Sequence, residues 1–249
     1  MTYCLGIKTK DGLMGLADTR ITSGSETTTA KKIFTIKRPK HCFFIMTSGL
    51  RSVRDKAITY FQEVIEEQDA NFDKLYKAVN KFSEQVKRVA NEDKASLEES
   101  NMSFNLYAIV GGQLENDKEP KMFLLYPQGN WIEISEGTPF AIIGNTGFGR
   151  PILHRAITSD ESLEFAMKTA FLSFDATRLS ANDVGYPVDT LILKNNSYSM
   201  VEHRFEQQEL NHIAEFWDQR LRQIINELPA EALKKAFHSQ DVTPIKLSS

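Results

Sequence analysis

The sequence is short of cysteine, of long apolar runs and of charge excess, and each shortage removes a class of protein. Cys4 and Cys42 are the only cysteines in 249 residues. A disulfide framework or a zinc centre needs more, so both read as buried free thiols in strands. No apolar stretch approaches the ~18 residues that span a bilayer, and the N-terminus lacks the basic-then-apolar pattern of a secretion signal. Lys and Arg number 30 against 33 Asp and Glu, a net charge of −3. That balance gives no reason for a nucleic-acid or membrane partner. The expectation is a soluble cytoplasmic protein. None of His41, His154, His203, His212 and His238 has a setting that suggests catalysis. Gly144-x-x-Gly-x-Gly precedes a helical segment. It lacks the Lys and Ser/Thr of a P-loop and the glycine spacing of a dinucleotide site, so a tight, closely packed turn is the better reading. No metal or organic cofactor is implied.

What is present is ample core material, with 41% hydrophobic and 25% charged residues. Alternation predicts strands at 2–8 and 12–22, joined at Asp11–Gly12, then a polar loop at 23–30. A second hairpin spans 31–37 and 42–48. The period then lengthens to that of helices, at about 51–68 and 71–91, linked through Gln68–Asn71. The charged segment 92–102 reads as a solvated connection. Strands return at 103–111, closed by Gly111–Gly112, and at 121–126, 131–135 and 139–143. Pro151 suits the first turn of a helix over 150–158, and Ser159 the cap of another over 160–178. Loop 179–187 leads to strands at 188–194 and 197–203. Leu210, Ile213, Phe216, Trp217, Leu221, Ile224, Ile225 and Leu228 then mark one stripe of a long helix. Pro229 ends it, and a short helix follows at 230–238. This order predicts an α+β fold, a four-layer αββα sandwich of two antiparallel sheets flanked by helices. Residues 1–205 form the main domain and 206–249 a helical extension.

The chemistry gathers at the start of the chain. Thr2 follows the initiator Met, a common place for threonine. Freed of Met1, it carries an α-amine with an unperturbed pKa of about 7.7–8.0, able to take and return the proton of its own hydroxyl. The hairpin register can bring Asp18 to Thr2. Lys32, at the head of the next hairpin, is a cation that Asp18 can hold and that favours an alkoxide. Gly49 ends a buried strand, where a backbone N–H can face an oxyanion.

Thr2, A-D-T-R at 17–20, K-K-I-F at 31–34, S-G-L at 48–50 and G-x-G-x-P at 147–151 together resemble a proteasome β-type subunit, an N-terminal-nucleophile hydrolase. The resemblance covers about residues 2–203. Within that family the chain is similar to the bacterial Anbu group, the ancestral β subunit, in its M-T-Y-C start, its length and its long helix after the last strand. The resemblance implies Thr2 as nucleophile, Asp18 and Lys32 as the ion pair that tunes it, Arg20 beside the acid and Gly49 as oxyanion donor. It also implies a pocket lined by Ile21, Ala30 and Thr47, a peptide or unfolded-protein substrate, and a homo-oligomeric ring or spiral. The family's usual serine inside G-x-G is replaced by Phe148. Ser180 and Asp183 do not fall cleanly on its auxiliary Asp and Ser. The implied activity is a threonine endopeptidase. A self-assembling scaffold with a vestigial site, and an amidase for small amides or isopeptides, stay open beside it.

Overall fold

Strand β1 (Tyr3–Thr9) and β2 (Gly12–Asp18) form the first hairpin of the computed structural model, which describes residues 2–23, 26–68 and 72–237. The expectations about Met1, the linker at 69–71, His238 and the tail after it lie outside the described residues. Gly12 is required at the turn. Its φ is +146°, and a Cβ there would stand 2.1 Å from the Leu193 carbonyl oxygen. The register pairs Cys4 with Ala17 and Leu5 with Leu16, and just beyond it the Tyr3 N–H donates to Asp18 Oδ1.

Next come β3 (Arg20–Ser23), β4 (Glu26–Thr29), β5 (Ile33–Arg38) and β6 (His41–Gly49), then helices α1 (Arg51–Gln68) and α2 (Leu75–Glu99). Strands β7 (Leu106–Leu114), β8 (Lys121–Leu125), β9 (Trp131–Glu133) and β10 (Phe140–Gly144) lead to helices α3 (Arg150–Ala156) and α4 (Leu163–Ser180). Strands β11 (Val188–Lys194) and β12 (Met200–Phe205), then α5 (Gln207–Glu227) and α6 (Glu231–Lys234), complete the order.

The strands make two antiparallel five-stranded sheets, β10-β1-β2-β11-β12 and β5-β6-β7-β8-β9, and a two-stranded ribbon β3-β4. Cys4, Leu13 and Leu191 of the first sheet meet Phe44, Met46 and Ile109 of the second between the layers. On the outer face of the second sheet, Phe43, Ile45 and Val110 pack against Phe61 of α1 and Phe82 of α2. On the outer face of the first, Tyr3 meets Phe174 of α4, ring centroids 6.2 Å apart. The αββα sandwich is thus the observed architecture. Residues up to Leu210 form one compact unit and those from Asn211 onward a second. Among the described residues no helix is long and apolar enough to cross a membrane.

Four local expectations are corrected. The strand predicted over 12–22 breaks at Thr19, whose N–H and hydroxyl both donate to the Pro187 carbonyl, at 3.0 and 2.7 Å. The chain leaves the sheet there, and most of the predicted polar loop pairs as ribbon β3-β4. The connection placed at 92–102 is helix as far as Glu99. It contains no Gly or Pro, Leu97 packs on the core, and Lys56 of α1 holds Glu92 and Asp93, both at 2.7 Å. Gly111 and Gly112 sit inside β7 instead of closing it, because Phe44 and Phe43 lie across them. Finally, α4 is capped by Ser162, whose Oγ accepts from the Phe165 N–H at 3.1 Å. Ser159 instead accepts from the Lys10 N–H through its carbonyl, at 2.7 Å.

Candidate active site

Thr2 stands just before β1, its backbone held from the neighbouring strand end. The Asn145 N–H donates to the Thr2 carbonyl at 2.7 Å. Gly144, φ +90°, lies so close that a Cβ on it would come within 1.9 Å of that carbonyl oxygen. Thr2 is 8% exposed and lines a cleft of about 1060 Å³.

Asp18, at the end of β2, lies directly behind. Its Oδ1 accepts from the Tyr3 N–H at 2.8 Å and from Lys32 Nζ at 2.6 Å. Lys32 Nζ also donates to the Arg20 carbonyl at 2.7 Å. The ion pair is buried, its side chains 3% and 0% exposed. Burial pushes the Asp18 carboxyl above its usual range, while the Lys32 charge and the Tyr3 N–H pull it down. One carboxylate oxygen therefore ties together the residue after Thr2 and the ammonium of Lys32.

Gly49 ends β6 at φ +138°, where a side chain would meet the Asn105 carbonyl, and it lines the same cleft as Thr2 and Lys32. Ile21 and Thr47 line it too. Ala30 does not; it follows β4, where its N–H donates to the Thr19 carbonyl at 2.8 Å. Arg20 is folded over Gly185, a Cβ on which would come within 2.6 Å of its Cζ, and donates to the Asn182 carbonyl at 2.9 Å. Phe148 is exposed on the turn before α3.

Other groups at the site carried no separate sequence signal. Ser48 faces the point where Gly144 meets Thr2 and also lines the cleft. The Tyr3 hydroxyl is 2.7 Å from Ser173 Oγ, which donates to the Gly149 carbonyl at 2.8 Å. That chain fastens β1 to α4 and to the G-x-G turn, so the packed-turn reading holds at Gly149. Among the described residues no cluster of three or more His, Cys, Asp and Glu side chains is arranged to hold a metal.

A proteasome-subunit family model matches residues 2–185. A comparison with curated proteins found no match. Among solved structures the chain is similar to the helical assembly of the Anbu complex from Pseudomonas aeruginosa, with 30% identity and a TM-score of 0.86 over 92% of this chain and 97% of that one. It is similar to Anbu, the ancestral beta-subunit, from Yersinia bercovieri, with 27% identity and a TM-score of 0.85 over 92% and 98%. A Gly-1 mutant of Anbu from Hyphomicrobium sp. strain MC1 matches at 28% identity, with the same TM-score of 0.85 and the same coverage of 92% and 98%.

Proposed function

Because the chain belongs to the proteasome subunit family, with an Anbu-like N-terminal-nucleophile hydrolase fold, we propose that it is a threonine-type peptidase whose nucleophile is Thr2 freed of Met1. The observation that carries the reading is the shared Asp18 oxygen. It binds the N–H next to Thr2 and the Lys32 ammonium together, in a cleft that also presents Gly49. The reading is supported by a buried, fixed positive charge on Lys32 that lines the same cleft as Thr2, where it would favour negative charge on the threonine oxygen.

The reaction follows from these groups. The α-amine of Thr2, directly or through a water, takes the hydroxyl proton. The oxygen attacks the substrate carbonyl, and the Gly49 N–H donates to the resulting oxyanion. The C–N bond breaks as the leaving amine takes a proton from the α-ammonium. Water then hydrolyses the ester on Thr2 and restores the hydroxyl. Arg20 keeps β3 and the loop at Asn182–Gly185 together beside Asp18, and Ile21 and Thr47 border the substrate side chain.

The test is intact mass after exposure of the purified protein to a threonine-directed covalent inhibitor. We expect loss of Met1, one adduct on Thr2, and neither adduct nor turnover in Thr2→Ala. Full activity in Thr2→Ala removes the assignment. A small-amide hydrolase on the same residues is separated by a panel of peptides against small amides.

The chain further assembles with itself. Support comes from the Pseudomonas relative, described as a helical assembly, and from the apolar stripe exposed along α5. A scaffold with a vestigial site is the second reading, favoured by exposed Phe148 at the place of the family's serine. Absence of the Thr2 adduct despite removal of Met1 selects it.

A further inference from the structure

Charge in the cleft is one-sided. Among the described residues, Arg20, Lys32, Arg51 and Arg54 line it against a single carboxylate, Glu26. Lys32 is taken by Asp18, and Arg20 is held over Gly185 and on the Asn182 carbonyl. Glu26 stands at the end of the β3-β4 ladder opposite Ser23, beyond the Ile21–Thr28 pair.

Arg51 and Arg54 remain, both on the first turn of α1, and both use the same acid. Arg51 Nε is 3.4 Å from Asp55, and Arg54 approaches it at 2.6 and 2.8 Å. One carboxylate between two guanidiniums leaves a positive charge and spare N–H donors. The two differ in setting. The Arg51 side chain is 63% exposed, at the rim, whereas that of Arg54 is 15% exposed. Arg54 also borders an adjoining recess of about 260 Å³ with Phe34, Ile45, Thr47 and Ile58. The Cys4 thiol, its pKa pushed up by burial, donates to the Thr47 carbonyl at 3.7 Å. Arg54 thus lines both the cleft of Thr2 and Lys32 and the adjoining recess, and shares both with Lys32 and Thr47.

Resting on the peptidase reading above, we propose that the cleft selects an acidic residue, Glu or Asp, on the acyl side of the scissile bond, with Arg54 as the residue that binds its carboxylate. A largely shielded guanidinium binds a carboxylate through charge-assisted, paired hydrogen bonds, and it discriminates strongly against a neutral isostere. The start of α1 adds a favourable field of the same sign.

The experiment uses the full chain after Met1 removal and two covalent peptide inhibitors identical except for Glu or Gln next to the electrophile. The rate of Thr2 labelling is followed by intact mass, and turnover of matched Glu, Gln, Leu and Arg amides is measured alongside. We expect Glu to react at least about tenfold faster than Gln, with the ratio falling as salt rises. Arg54→Met brings the ratio close to one, Arg54→Lys keeps part of it, and Arg51→Gln changes it less than about threefold. If Arg54→Met does not fold, the wild-type ratio, its salt dependence and Arg54→Lys carry the test. Labelling of Thr2 with equal rates for Glu and Gln overturns the acidic preference and leaves the peptidase reading standing. No labelling by any inhibitor overturns both.

Discussion

Asp18 is the residue on which the proposed site turns, and its chemistry sets a pH dependence. The working form is the anion, since only the anion neutralises Lys32. Activity therefore falls as pH drops through the Asp18 pKa. Burial raises that pKa above the free value of about 3.9, so the acid limb of kcat is expected above it. The Thr2 α-amine must also be neutral to act as base and sets its own limb at higher pH, at about 7.7–8.0 when unperturbed. Asp18→Asn should remove only the lower limb, because the amide cannot titrate. It should also leave Lys32 buried without a counter-charge, at a cost of about 3–5 kcal/mol, and lower kcat at least about a hundredfold through misplacement around Thr2. A pH–rate profile and a denaturant titration of the same variant check the two effects. A lower limb that persists in Asp18→Asn would show that a group other than Asp18 sets it. The approach of Asp18 to the start of β1 is legible from hairpin register, whereas Thr2, Lys32 and Gly49 take their weight as site candidates from the family resemblance. The Tyr3–Ser173 contact is not legible, since it joins residues 170 positions apart through packing that no short window contains.

At the scale of elements the two sheets are tied and spaced by particular side chains. Gly112 of β7 faces Phe43, and a Cβ there would stand 2.3 Å from that residue's Cβ. Gly112→Ala should therefore destabilise the protein by about 1–3 kcal/mol through overpacking, measured as a lower denaturant midpoint. An unchanged midpoint would mean that β6 and β7 can move apart without penalty. Locally Gly–Gly is a turn signal and predicts a strand end here. Close approach of an aromatic pair on the next strand gives the opposite meaning, and only the pairing of β6 with β7 reveals it. The charge after residue 91 likewise predicts solvent exposure, yet Lys56 on α1 turns Glu92 and Asp93 into a helix-to-helix tie. Glu202 of β12 does the same between sheets, holding Lys31 at 2.6 Å and Lys37 at 2.7 Å. Burial pushes its carboxyl up, yet these hydrogen bonds and charges win and draw it from 4.5 to about 2. A depressed carboxylate stabilises the fold above its unfolded pKa and loses that contribution as pH falls through the folded one. The stability gap between wild type and Glu202→Gln should thus be full above pH 4.5 and close towards pH 2. The two lysines are about half exposed, so the gap is about 1–2 kcal/mol. A gap that stays constant across that window would assign the effect to packing instead of charge.

For the whole molecule the informative feature is the mismatch between the stripe of α5 and its burial. Eight apolar residues from Leu210 to Leu228 fall on helical spacing, which predicts a covered face. Within the helix only Leu210 is buried, while Phe216, Ile224, Ile225 and Leu228 are each at least half exposed. A face of that composition is maintained in water when another surface covers it, and a second copy of the chain fits the assembly proposed above. Ile224→Glu with Leu228→Glu places two like charges one turn apart on that face. Both positions are exposed, so the isolated chain should lose little stability. We expect sedimentation to shift from an assembly to a smaller species, with unchanged helical circular dichroism. Sedimentation identical to wild type would show that the stripe is not the contact between copies. The same variant also decides whether the catalytic unit is the single chain. Thr2, Asp18, Lys32 and Gly49 come together within one chain, on residues 2 to 49. The rate of Thr2 labelling should therefore survive loss of assembly to within about twofold. If labelling vanishes with assembly, the neighbouring copy completes the site, and the geometry of one chain is only part of the enzyme.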